Sequence, residues 1–420
     1  MAGIPRHSHE APSNGMLRGR IEGEHGRVTF FELFFDLVFV FAVTQLSHGL
    51  AEHLDLEGAF HALILLLAVW WLWIYTTWAT NWLDPNQLTV RVMLVGVMFA
   101  GLIMAAAIPE AFTSSDRGLV FAGALVAAHL VRTSVVIFAT RNDPLLKRNF
   151  QRILIWFLVS SVFWLAGGLA EGDARVAWWV AALVIEYLGP PTAFWVPLLG
   201  RSAVADWNSV EGGHMAERCG LFVIIALGES LLITGGTFSG LEWTAARVTA
   251  MVAAFGASVA MWWVYFDRTA EAGSERIAHG DDAGRIARLA YTYIHIPIVA
   301  GIIITAVGDE VVLAHPMGNA EFSAALTVVG GPAVFLAGYI LFKQAITGRF
   351  YRPLWVTLAA LAALFVAHPV ASPAALSMGM TVILVGLAAW ARLVHPIPTD
   401  DELDELELQA APDVAGEPAG

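Results

Sequence analysis

A single cysteine, Cys219, stands in 420 residues, so no internal disulfide can form and no thiolate cluster can hold a metal. Charge is nearly as scarce. Only 14% of residues are Asp, Glu, Lys or Arg, against 57% hydrophobic, where soluble domains run near 25% and 45–50%. That balance excludes a soluble enzyme, a secreted disulfide scaffold and a disordered chain. Basic residues number 23 and form no continuous face, so phosphates cannot be neutralised and nucleic acid is excluded as a partner. The first 27 residues carry Arg6, Arg18, Arg20 and Arg27 but no apolar stretch, which excludes a signal peptide and leaves the first apolar run as an uncleaved span. There is no Ser/His/Asp or Cys/His set, no glycine loop for phosphate and no complete metal constellation, so no cofactor is expected.

What is present is apolar sequence in runs of about twenty residues, the length that crosses a hydrocarbon layer of about 30 Å. Twelve such runs lie at 29–50, 59–80, 90–108, 118–140, 151–170, 176–198, 215–236, 243–266, 286–307, 322–345, 353–370 and 374–394. The fold class they predict is an all-α integral membrane protein with the lipid bilayer as its solvent. With the N-terminus inside, nineteen of the 23 bases fall on one side, three (Arg117, Arg175 and Arg247) on the other, and Arg132 within a span. Lys and Arg mark the cytoplasmic side, so both termini are expected in the cytoplasm of a bacterium, at its inner membrane. The net charge of −13 misleads, because eight acids lie after residue 399 in a tail without bases and leave −5 for the rest. Such a tail reads as a solvated, disordered end.

The runs divide into two sixes. Glu32 and Leu46 match Glu217 and Leu231 at an offset of 185, Trp70-Trp71 match Trp262-Trp263 at 192, and Gly101, Ile103, Ala106 and Glu110 match Gly301, Ile303, Ala306 and Glu310 at 200. An offset growing along the chain is what loop insertions produce. The expected organisation is a disordered segment 1–27, six-helix halves 28–200 and 201–395 of parallel topology, and a tail 396–420.

Ionisable groups inside spans are costly unless they are paired or face a wet cavity, which makes them candidate site residues. In the first run Glu32 and Asp36 stand four apart on one helical face. Both cannot ionise side by side without a shared proton, a shared cation or a base such as Arg27. Gln45, Ser47 and His48 polarise the far end of that run. The seventh run opens with His214, Glu217 and Arg218 and carries Glu229 and Ser230 near its middle, where a carboxylate is hardest to explain as decoration. Its simplest structural role is a buried pair with Arg132 of the fourth run, a pair that a cation or proton could gate. His214 and Glu217, three apart, resemble half of a di-metal carboxylate site, though no second Glu-x-x-His appears. Glu186 precedes Gly189-Pro190-Pro191 in the sixth run, and a broken helix beside an acid points to a substrate or ion site. His295 reads as a hydrogen-bonded core residue, and the tryptophans of runs two and eight as interface belts and interhelical packing.

ELFFDLVFVFAVTQLSH at 32–48, WATNWLDP at 78–85, HMAERCGLFVIIALGES at 214–230 and WWVYFD at 262–267 together resemble the bacterial low temperature requirement A family, from about Arg27 to Arg392. The resemblance implies a multi-pass membrane protein named for a growth phenotype in the cold. Its matching positions are Glu32, Asp36, Gln45 and His48, then Trp78, Asn81 and Asp84, then His214, Glu217, Arg218, Gly228 and Glu229, and last Asp267. A fainter similarity links FFDLVFVFAVTQL to six-helix potassium channels, with Phe35 where those carry Ser. The expected activity is movement of a small solute or ion, with Glu32, Asp36 and Glu229 as the coupling or coordinating carboxylates. A cation channel, a membrane-embedded lipid or isoprenoid enzyme and a sensor or scaffold of membrane state are the alternatives. A homo-oligomeric assembly stays open.

Overall fold

The computed structural model describes residues 15–18, 28–202, 211–266 and 288–394. Asp267, the acidic tail and the remainder of the N-terminal segment lie outside the described residues. The described chain is helical, with two isolated β-bridges and no strand. In order it runs α1 Phe30–Glu52, α2 Leu56–Trp82, α3 Leu88–Ala107, α4 Ser115–Ala139, α5 Pro144–Leu169, α6 Gly172–Leu188, α7 Gly212–Ser239 and α8 Ala245–Phe266. After a π-helical turn, Arg288–Tyr293, come α9 His295–Ala314, α10 Phe322–Val328, α11 Gly330–Thr347, α12 Arg352–Val366 and α13 Pro373–Val394.

Each of the twelve expected runs holds a helix, but ten rather than twelve stretches of the described residues are long and apolar enough to cross a membrane. The sixth position is shortened to 17 residues, about 26 Å of rise, where 176–198 was expected. Gly189-Pro190-Pro191 withdraws two backbone donors and ends the helix at Leu188; the chain then turns, with Ala193, Phe194 and Leu198 at positive φ. The eleventh, α12, has 15 residues, and a 3-10 turn over His368–Val370 follows. The tenth position is two helices, α10 and α11, that meet at Val329.

Local signals set the starts. Thr29 caps α1 through a reciprocal box with Glu32, Asp55 caps α2 through Gly58 N at 2.7 Å, Ser114 caps α4, and Asp143 caps α5 with Pro144 in its first turn.

α2 is the hub, touching α1, α4, α6, α7 and α9. From Ile64 to Trp82 all but Leu67 are buried, so of the two roles expected for its tryptophans, interface belt and interhelical packing, the structure shows packing. Trp70 Nε1 donates to Thr292 O at 2.8 Å, and Trp71 stacks on Tyr187 with centroids 3.9 Å apart. Trp262, in contrast, faces outward at 45% exposure. α9 and α11 cross through glycine. A Cβ built on Gly301 would stand 2.3 Å from Phe335 N, and one on Gly331 2.6 Å from Thr305 N, so backbones meet at a distance that a side chain would forbid.

Candidate functional site

Two polar layers cross α1, about 12 Å apart along its axis from Asp36 to Thr44. The near layer lies where α1 and α7 begin and α2 ends. Glu32 Oε2 accepts from Thr29 N at 2.9 Å, from Thr29 Oγ1 at 3.0 Å and from Arg18 Nη2 at 2.9 Å. Its Oε1 lies 2.8 Å from His214 Nε2. The His214 Nδ1 stands 3.4 Å from Asn81 Nδ2, which fits the tautomer that donates from Nε2 to Glu32 and accepts at Nδ1. Arg218 donates from Nη1 to Glu32 O at 2.9 Å and from Nη2 to Asp36 Oδ1 at 2.8 Å, where Trp73 Nε1 also donates at 2.8 Å. Glu32, Asp36, His214 and Arg218 are each at most 2% exposed. Two carboxylates thus meet two guanidinium groups and an imidazole, the pairing that makes buried charge tolerable. Asp36 Oδ2 and Arg218 Nε make no hydrogen bond.

Arg18 comes from the segment expected to be disordered. Within it residues 15–18 are tied down: Arg18 N donates to Trp82 O and Asp84 N to Met16 O, both at 2.9 Å, Leu17 bridges Leu83, and Arg18 Nε reaches Leu83 O at 3.2 Å. The base expected beside Glu32 was Arg27, which lies outside the described residues. Glu217, exposed, accepts from Val28 N at 3.0 Å. His214 turns instead to Glu32, so the two do not converge as half of a metal site.

The far layer is built differently. Glu229 Oε2 accepts from Thr44 Oγ1 at 2.6 Å, and the exposed His48, one turn along α1, is near enough to act on it electrostatically. Ser230 Oγ donates to Asp309 Oδ2 at 3.1 Å and lies 3.1 Å from Ser258 Oγ. These three residues come from α7, α9 and α8. One turn above Ser230, Thr234 Oγ1 is buried without a partner, as are Ser47 Oγ and Glu310 Oε2. Among the described residues no Arg or Lys contacts Glu229 or Asp309. Gln45 is half-buried and makes no hydrogen bond.

Arg132 does not meet Glu229. It points toward α2 and donates to Leu72 O at 3.3 Å, Thr76 Oγ1 at 3.4 Å and His129 Nδ1 at 2.9 Å, with its guanidinium over the rings of Tyr75 and Phe157. α4 packs on α2, α3 and α5 and has no α7 neighbour of note, which removes the expected pair. Glu186 accepts from Ser160 Oγ at 2.7 Å and Trp164 Nε1 at 2.9 Å. It sits three residues before the helix break but bonds within the α5–α6 pair. His295 is a satisfied core residue, 2.7 Å from Tyr265 Oη and 2.8 Å from Ala290 O.

The near layer draws on residues 32–36, 78–84 and 214–218, three separate stretches of sequence brought to one point. The profile of the bacterial low temperature requirement A protein (LtrA) matches residues 27–389. The chain belongs to the LtrA family. A relative, an uncharacterized protein of Rhizobium meliloti (strain 1021), is 40% identical over 366 residues, covering 87% of this chain and 88% of its own. No solved structure matches. Of the positions that the LtrA motifs single out, Glu32, Asp36, Asn81, His214 and Arg218 touch one another in the near layer; Asp84 closes the strap with Met16, and Glu229 stands apart in the far layer. Arg18, Trp73, Thr44 and Asp309 were not singled out in the sequence. Asp309 follows a glycine as Glu229 does, but it lies just past the expected run 286–307, and only its neighbour Glu310 entered the argument for internal repetition. Arg18 carried none, because nothing local says which base in an arm folds back.

Proposed function

We propose that the protein moves a proton or a small cation across the bacterial inner membrane, with Glu229 and Asp309 as the carboxylates that exchange it. One observation carries the reading: both are buried in spans and bonded only to hydroxyl groups, Thr44 for Glu229 and Ser230 for Asp309. A carboxylate in that position must be neutralised by something. Its neighbours Ser230, Ser258, Thr234 and Ser47 offer oxygen alone, the donor type of hard cations and of hydrated protons. Glu32 and Asp36, occupied by Arg18, His214 and Arg218, hold α1 to α7 at the near end as a latch. That end faces the cytoplasm in this reading, since it carries the excess of Lys and Arg.

The two-half organisation is part of the proposal. Thr44 and Glu229 touch and are 185 residues apart, the same offset that relates Glu32 to Glu217. Contact between equivalent positions is expected only beside a twofold axis. Neighbour relations also repeat, with α1 against α2 and α3 echoed by α7 against α8 and α9.

The test is flux. Purified protein in liposomes, with imposed proton, sodium or potassium gradients and a gramicidin control, should carry current or dissipate the gradient. Glu229→Gln and Asp309→Asn should each cut the rate tenfold or more. Absence of flux under every gradient, with the control working, would overturn the reading.

A further inference from the structure

The far layer has acids without bases in contact; Arg132 of α4 presents the reverse. Arg132 is 1% exposed and makes no ion pair with any carboxylate among the described residues. The acid that acts on it electrostatically is Glu186, which is bonded to Ser160 and Trp164 and does not touch it. A guanidinium carries five N–H donors. Three reach protein acceptors, all on Nη1 and Nη2; Nε–H and the second Nη2–H reach none. Buried cationic charge without a counterion is among the costliest arrangements in a span.

Beside it lies a cavity of about 20 Å³, lined among others by Tyr75, Trp78, Arg132, Thr133, Arg288 and Thr292 and, among the described residues, by no carboxylate. The Tyr75 side chain, whose ring lies 5.5 Å below the Arg132 guanidinium carbon, makes no hydrogen bond through its hydroxyl. A space of roughly 10–15 Å³ on this measure holds one water. The cavity therefore takes one or two waters or one monatomic ion and excludes a phosphate or an organic acid.

We propose that this cavity is a binding site for a small monatomic anion of the chloride class, held by the free N–H groups of Arg132 and the hydroxyl of Tyr75. The assignment is independent of the carboxylate layer and of what the protein transports. Chloride accepts hydrogen bonds from any direction and needs no planar partner, so an incomplete ring of donors suffices. The aromatic walls of Tyr75, Trp78, Trp82, Phe150 and Phe194 exclude bulk water and so raise the strength of the charge interaction. The anion supplies the countercharge that no described side chain in contact with Arg132 supplies.

Full-length protein in nanodiscs, at fixed sodium and ionic strength with gluconate as the balancing anion, tests this. Bromide should quench a saturable part of the tryptophan emission, and chloride should compete it away. Chloride, but not phosphate or acetate, should raise the unfolding midpoint. Arg132→Gln should weaken chloride at least tenfold, and Tyr75→Phe, which keeps the ring, about threefold. Glu229→Gln should leave chloride affinity unchanged. Quenching linear in bromide, or an equal response to every anion, would show water alone in the cavity and overturn the assignment. Should Arg132→Gln fail to fold, the wild-type competition and Tyr75→Phe decide.

Discussion

The near and far layers hold carboxylates at similar burial, yet one is saturated with bases and the other has none in contact. Glu32 at 1% exposure and Glu229 at 1% differ in company, not in depth. Glu32 meets Arg18 and His214, and Asp36 meets Arg218; Glu229 meets a threonine. Depth alone therefore does not say what a buried acid is for. An acid with a fixed countercharge fastens helices together, while the one bonded only to a hydroxyl is the one the proposed function uses to exchange a cation.

Substitutions separate the two roles. The largest loss of stability is expected from Arg218→Met, which strands Asp36 and a backbone carbonyl. Removing one partner of a buried pair costs about 3–5 kcal/mol, so folded yield and unfolding midpoint in nanodiscs should collapse. An unchanged midpoint would mean that the near layer is not a fastening. Arg18→Gln should cost less, about 1.5–3 kcal/mol for a hydrogen bond to a charged group, read in the same thermal scan, because Arg18 is 12% exposed and Glu32 keeps Thr29 and His214. Glu229→Gln reverses the pattern: stability should shift by about 1 kcal/mol at most, while flux falls at least tenfold. A variant that loses both together would erase the distinction between layers. Smallest of all, Glu217→Gln should leave stability within about 0.5 kcal/mol, as surface changes do, and flux intact. A large effect there would place Glu217 in the working machinery.

Much of this architecture was legible because hydropathy and capping are local. The runs, the start of α1 at Thr29 and the break at Pro190 follow from neighbours in sequence. Partners are not local. Asp36 announces itself as an acid in a span, but whether it shares a proton or meets Arg218, 182 residues away, depends on how α7 docks. The expected Glu229 and Arg132 pair failed for the same reason: opposite charges in apolar runs attract on paper, and helix adjacency decides. The lengths of α6 and α12 were misjudged because apolar composition continues past Leu188 and Val366, while the backbone, lacking donors at proline, does not.

The strap at Met16–Arg18 bears on the order of assembly. Its bridge partner Leu83 is made 66 residues after Leu17, and His214 follows Arg18 by 196. At about 5–20 residues per second of synthesis, the arm waits roughly 10–40 s before the seventh helix arrives. Arg18 closes a clasp that only a chain with both α2 and α7 in place can offer, so it reports the docking of α7 on α1 and α2. A bulky tag fused close before Gly15 would be felt midway through synthesis, when α7 arrives, not at its start.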